Sequence, residues 1–132
     1  MFAILETGGK QIKATPGHFV DIEKIPQDVG EKISLKNILM LVNGKDSKIG
    51  NPYIKEANVN GQVIEQGKDD KIIVYKMRPK KGTRKKQGHR QLYTRVFIEN
   101  IELDGKVIAT TEKRFQAKAK KQEEKKTKKK EE

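Results

Sequence analysis

Chemistry-bearing residues crowd into one stretch of this chain, Lys76-Met-Arg78-Pro-Lys80-Lys81-Gly-Thr-Arg84-Lys85-Lys86-Gln87-Gly-His89-Arg90-Gln91-Leu-Tyr93-Thr-Arg95. It holds nine Lys and Arg and no acid. Such a run repels itself in isolation and calls for a polyanion. The residue types suit RNA in particular. Arg78, Arg84, Arg90 and Arg95 can grip phosphate in bidentate fashion or stack on bases. Lys76, Lys80, Lys81, Lys85 and Lys86 add point charge. His89 and Tyr93 offer aromatic faces, and Gln87 and Gln91 can bond base edges or ribose hydroxyls. Gly82 and Gly88 let backbone approach a phosphate closely.

Charge elsewhere is distributed so that this stretch stands out. Residues 1–75 carry ten Lys and ten acids, a net of zero, and residues 96–112 are at −3. Residues 113–132 are at +6, within a total of +12. A near-neutral body with two basic segments follows, the second being a Lys/Glu/Gln-rich tail beyond Phe115 without large apolar residues. That composition predicts a solvated tail over 116–132, disordered or partly helical, because it buries too little to offset ordering entropy.

Other constellations lead to ordinary structure. Gly8-Gly9-Lys10 lacks the P-loop spacing and is followed by Gln11, so it reads as a tight turn. His18 and His89 are the only histidines and no cysteine is present, which gives no basis for a metal or thiol site. Asp69-Asp70 reads as a solvated turn rather than an acid–base pair. Asp21 and Glu23 share a strand face and are placed to pair with nearby lysines. No nucleophile elbow or nucleotide fingerprint occurs, so the chain reads as a non-enzyme without cofactor, metal or small-molecule substrate. The apolar run Phe2–Leu5 ends at Glu6, too short for a signal or membrane segment. The expectation is a protein acting where it is made, or after loss of a leader.

The elements that must position the basic stretch read as short strands. Phe2–Glu6 and Gln11–Ala14 flank the Gly8-Gly9 turn, and His18–Ile25 alternates with period two. Lys32–Val42 fits a strand pair or a short helix, with strands favoured; Asn51-Pro52 reads as a turn, and Val59–Gln66 and Lys71–Met77 as strands around Gly67–Asp70. Tyr93–Ile101 and Val107–Ala109 follow, separated by Asp104-Gly105. Seven or eight short strands predict an all-β domain over 1–112, either a sandwich or a small barrel. Residues 78–92 are left as one long basic loop, mobile until phosphates neutralise it and able to project roughly 25 Å if folded back on itself. The lysine-rich tail spans 113–132.

These residues carry a family resemblance. Lys80-Lys81, six residues, then Gly88-His89-Arg90-Gln91-Leu92-Tyr93-Thr94 resembles the signature of the bacterial-type large-subunit ribosomal protein L-twenty-one family. Phe2-Ala3-Ile4-Leu5-Glu6-Thr7-Gly8-Gly9-Lys10-Gln11 is similar to that family's opening, which makes Lys10 and Gln11 secondary candidates for RNA contact, and Gly50-Asn51-Pro52-Tyr53 to its Gly-x-Pro-Tyr turn. The likeness is collinear over about residues 2–110; Ile12 stands where many members have a larger residue, and the tail departs from the short family form. It implies a small β-barrel with an extended loop on large-subunit ribosomal RNA, an early role in subunit assembly, and a neighbouring ribosomal protein (L-twenty in bacteria) as partner. It also implies the cytoplasmic ribosome of a bacterium, or that of an organelle with bacterial-type translation. Two other readings exist. A stand-alone oligonucleotide-binding barrel would want aromatics spread over a sheet, and only seven occur in the chain. A membrane-surface or protein-interaction module would rely on the tail, which is broken by glutamates and lacks an apolar anchor.

Overall fold

The computed structural model describes residues 1–111, so the tail read over 113–132 lies outside the described residues. Strands occur in the order β1 (Phe2–Thr7), β2 (Lys10–Ala14), β3 (Phe19–Glu23), β4 (Lys32–Leu35), β5 (Ile38–Asn43), β6 (Asp46–Ile49), β7 (Ala57–Lys68), β8 (Ile72–Met77), β9 (Arg84–His89), β10 (Leu92–Leu103) and β11 (Lys106–Thr110). The all-β class is as expected, and 32–42 holds two strands, β4 and β5, which fall in different sheets and do not pair with each other. The strand β6 has no apolar face to announce it: all four residues of its Asp-Ser-Lys-Ile run are exposed.

Every pairing is antiparallel. One sheet has the order β2-β1-β5-β6. The second runs β11-β10-β7-β4, with β3 also on β10. The twelve-residue strands β7 and β10 are its spine. One edge of β10 pairs with β7 along its length; its other edge is shared, residues 93–97 facing β3 and 100–103 facing β11. The ladders therefore form two open sheets, not the closed barrel that the family resemblance implies. Among the described residues no ladder joins the first sheet to the second; the β2–β3 connection passes between them, and its Gly17 N–H donates to the Ile98 carbonyl of β10 at 2.9 Å.

Alternation explains the core. In β7, Ala57, Val59, Gly61 and Val63 are buried while Asn58, Asn60 and Gln62 are half-buried, as period two demands of a strand with one face inside. Ala57, Val59 and Val63 join Ala3, Leu5, Ala14, Ile38 and Leu41 of the first sheet and Val20, Ile22, Ile33, Val96, Ile98 and Ile101 of the second in one cluster. Between Val96 and Ile98, Phe97 points the other way and is still 2% exposed, its ring 5.3 Å from that of Phe19, its partner in register. Gly61 is needed where β7 and β10 come close, since a Cβ there would sit 2.6 Å from the Phe97 carbonyl oxygen.

Candidate nucleic-acid interface

The basic stretch is built as a β-hairpin. Its two strands, β8 and β9, form a separate two-stranded sheet with the register Ile72↔His89 through Met77↔Arg84. This corrects the expectation of one unstructured connection over 78–92: only residues 78–83 form the tip, closed by the Arg78 N–H donating to the Thr83 carbonyl at 3.2 Å. The strand character of Arg84-Lys85-Lys86-Gln87-Gly88-His89 is invisible to pattern reading because it has no apolar residue; pairing with β8, not burial, makes it a strand. Six residues per strand extend the sheet by roughly 20 Å.

The hairpin also continues the main ladder. Residues 67–70 were expected to turn the chain back on itself, yet β7 and β8 do not pair with each other. Lys68 pairs with Leu92 and, after a gap, Ile72 pairs with His89. Three residues, 69–71, thus lie opposite two, 90 and 91, bridged by the Asp69 N–H donating to the Gln91 carbonyl at 2.8 Å. One extra residue in one strand is the count of a β-bulge, a local bend in an otherwise continuous ribbon.

Every residue of β8 and β9 is exposed. By register, Ile72, Val74 and Lys76 share a face with His89, Gln87 and Lys85, and Ile73, Tyr75 and Met77 share the other with Gly88, Lys86 and Arg84. The ribbon is therefore divided by strand: β8 presents an apolar row, β9 a cationic one. Arg78, Lys80 and Lys81 crown the tip, and Arg90 is exposed in the bulge. Ion pairs among the described residues join Lys10 to Glu23, and Arg95 to Asp21 and Glu65. None of the seven cations from Lys76 to Lys86 is matched by a described carboxylate.

The remaining candidates sit at the base of the hairpin, on the body. The Arg95 guanidinium forks onto Asp21, Nε to Oδ1 at 2.7 Å and NH2 to Oδ2 at 3.0 Å, with Glu65 3.5 Å from NH1. Its pKa is raised further by the Asp21 hydrogen bonds and charge. Arg95 is thus held by the body's own acids, unlike the hairpin cations, and its guanidinium lies 5.5 Å from the Tyr93 ring. Lys10 Nζ is 2.8 Å from Glu23, whose carboxylate also accepts from Gln91 Nε2 at 2.6 Å. Those two hydrogen bonds, Lys10 first, pull the Glu23 pKa below the ordinary carboxylate value. The interaction is present at neutral pH and fades as pH falls through that lowered value. Gln91 Oε1 in turn lies 3.0 Å from His89 Nε2. Gln11 is exposed on β2 opposite Glu6, away from this cluster of bonds.

Glu23 is the participant that residue-by-residue reading underrates. Its pairing with a lysine was expected from the strand face it shares with Asp21; its bond to Gln91, 68 positions on, was not. Lys71 was likewise passed over: its side chain lies over Gly88, where a Cβ would meet Lys71 Cε at 2.0 Å. Gly8 makes room for Glu23. Its φ is +57°, and a Cβ would stand 2.3 Å from Glu23 Cγ and 2.7 Å from Glu23 Cβ. Gly9 is also left-handed, at +75°, with nothing within 4 Å of its Cβ position. Gly9→Ala should therefore cost only the left-handed conformation, about 1–2 kcal/mol. Gly8→Ala should cost that and the displacement of Glu23, a larger fall in thermal midpoint measurable by circular dichroism; equal falls would show that Glu23 yields freely.

The assembled features, the Gly8-Gly9-Lys10 turn, the cationic hairpin and its Gly-His-Arg-Gln base, can be set against known proteins. A family model described as ribosomal prokaryotic L21 protein matches residues 1–101. The chain belongs to the ribosomal L21 family. Among curated relatives, the large ribosomal subunit protein bL21 of Trichodesmium erythraeum is 48% identical over 112 residues, covering 85% of this chain and 82% of the relative. The bL21 of Picosynechococcus is 45% identical over 108 residues, covering 82% and 94%. That of Natranaerobius thermophilus is 43% identical over 105 residues, covering 80% of this chain and the whole of the relative. The L21 match takes in the hairpin, its base and most of β10, and stops before β11. This is a family of structural ribosomal proteins, not of enzymes.

Proposed function

We propose that this L21-family chain is a structural constituent of the large ribosomal subunit that grips large-subunit ribosomal RNA with the β8–β9 hairpin and supports subunit assembly. One observation carries the reading: seven cations unmatched by any described carboxylate stand on a fully exposed ribbon, while the body that carries the ribbon is close to neutral. β9 and the tip engage phosphates, Arg90 reaches RNA from the bulge, and the body sets the ribbon's direction. Neighbouring ribosomal proteins complete the partner set, L-twenty among them. The apolar row on β8 is the part of the hairpin that phosphates do not use. The relatives named above come from bacteria, which supports a bacterial-type ribosome as the location.

Titrating the protein into a domain-length large-subunit ribosomal RNA fragment across a salt series tests this. If about six cations contact phosphates, the logarithmic salt slope should be roughly −4 to −5, at about 0.7–0.9 per contact. Arg90→Ala should weaken binding by about 1–3 kcal/mol, the scale of one bidentate or stacked contact. An unrelated structured RNA bound equally well would reduce the chain to a generic polycation, and an unchanged Arg90→Ala affinity would remove Arg90 from the interface.

A further inference from the structure

Three segments far apart in sequence converge on one carboxylate. Glu23 is the last residue of β3 and lies opposite Tyr93 of β10. It accepts hydrogen bonds from Lys10, at the start of β2, and from Gln91, inside the bulge between body and hairpin. Gln91 also faces His89, the last residue of β9, and its carbonyl holds Asp69 on the opposite strand of the bulge. Gly8 leaves the space in which the Glu23 side chain lies.

This placement is electrostatically odd for a surface made to meet phosphates. A carboxylate within hydrogen-bond reach of the hairpin's base repels the RNA backbone, and by charge alone the protein would bind better without it. Its worth must come from what it holds. The hairpin has no residue in the buried core, and its connection to the body passes through a bulge. A two-stranded ribbon of this kind is marginal by itself, and its direction is set where it joins the body.

We infer that Glu23 is a positioning residue: acting through Gln91 it fixes the direction of the β8–β9 hairpin, so that the hairpin cations are already aligned when RNA arrives. Lys10 and Gln91, both candidates for RNA contact, then serve the alignment instead. The inference rests on the RNA-gripping reading of the hairpin for its consequence, but not for its mechanism, which belongs to the free protein.

The sign of one substitution separates the alternatives. Glu23→Gln keeps the shape, removes the negative charge and leaves one carbonyl oxygen where two acceptors stood. A merely solvated Glu23 predicts tighter RNA binding in the variant. A positioning Glu23 predicts weaker binding, by about tenfold, because ordering of the ribbon must then occur on binding. In full-length free protein, ¹⁵N relaxation should show order parameters falling across residues 72–89 and unchanged in β7 and β10. Gln91→Ala, which alters no charge, should reproduce both effects. Adding Glu23→Gln to Gln91→Ala should bring no further loss, as expected of residues acting in series. Unchanged order parameters in Glu23→Gln, tighter binding by it, or losses that simply add, would each overturn the inference. Looser hairpin amides with unaltered RNA affinity would keep the positioning role and overturn instead the reading of the hairpin as the RNA grip.

Discussion

Replacing residues 72–89 with a short Gly-Ser link between Lys71 and Arg90 is expected to leave a protein that melts close to the parent temperature and has lost its grip on ribosomal RNA. No residue from 69 to 93 belongs to the buried core, and the body's ladders close without the ribbon, since β7 pairs with β10 as far as Lys68↔Leu92. The deletion removes seven of the nine cations of the 76–95 stretch and leaves Arg90 and Arg95, the latter already engaged by Asp21. With most phosphate contacts gone, affinity near physiological salt should fall by about a thousandfold or more, and the salt slope should shrink toward roughly −1. Titration across a salt series and a thermal melt of the same preparation read both consequences. A collapsed melt would make the ribbon part of the folding unit, and retained affinity would move the RNA-binding surface elsewhere.

The second large effect is on the body. Ile98→Ala should destabilise the fold by about 2–5 kcal/mol, the range for truncating a fully buried aliphatic side chain. Ile98 is 0% exposed in the middle of β10, between buried Val96 and Ile101 on the core side. Its backbone also holds the segment leading into β3, donating to the His18 carbonyl at 3.1 Å and accepting from Gly17 N–H. Hydrophobic residues make up 33% of the chain, so the core is small and each member counts for more. For a domain of this size the loss corresponds to a midpoint lower by roughly 10–20 °C. Ile73→Ala, an identical change at a 59% exposed position of β8, should stay within about 0.5 kcal/mol. A chemical denaturation series on both variants checks the contrast. Comparable losses would mean that β8 is packed against the body in solution.

These two variants also mark how far residue patterns reach. Strands β3 and β7 are legible because one face of each is buried and period two survives in their side chains, and β10 because its apolar run Val96-Phe97-Ile98 is buried on both faces. β9 is not legible, because a strand made by pairing alone leaves no apolar imprint, and the same holds for β6. The Gly67-Lys68-Asp69-Asp70 run has the composition of a turn, yet the chain passes through it with only a bulge. The ladder partners 92 and 89 hold the outgoing strand, and they lie about twenty residues downstream. At the candidate site, the cation-rich residues were evident from type and number, whereas their division into unmatched and body-bound groups was not. Asp21 and Arg95 are 74 positions apart and Glu23 and Gln91 are 68 apart; only the β3–β10 pairing brings them together.

What the residues alone determine is a matter of composition and covalent order: a neutral body, a +9 stretch from 76 to 95, an all-β pattern, and motifs collinear with the ribosomal L21 family. These survive any folding because they are counts and orders along the chain. What the tertiary structure decides is which charges face outward. Folding pairs β3 with β10, and that single register neutralises Arg95 and sets Glu23 near Gln91, where Lys10 of β2 joins them, while β8 and β9, with no core to enter, are left projecting. Charge is a property of residues, but its availability to a partner depends on which opposite charges the fold has already brought within reach.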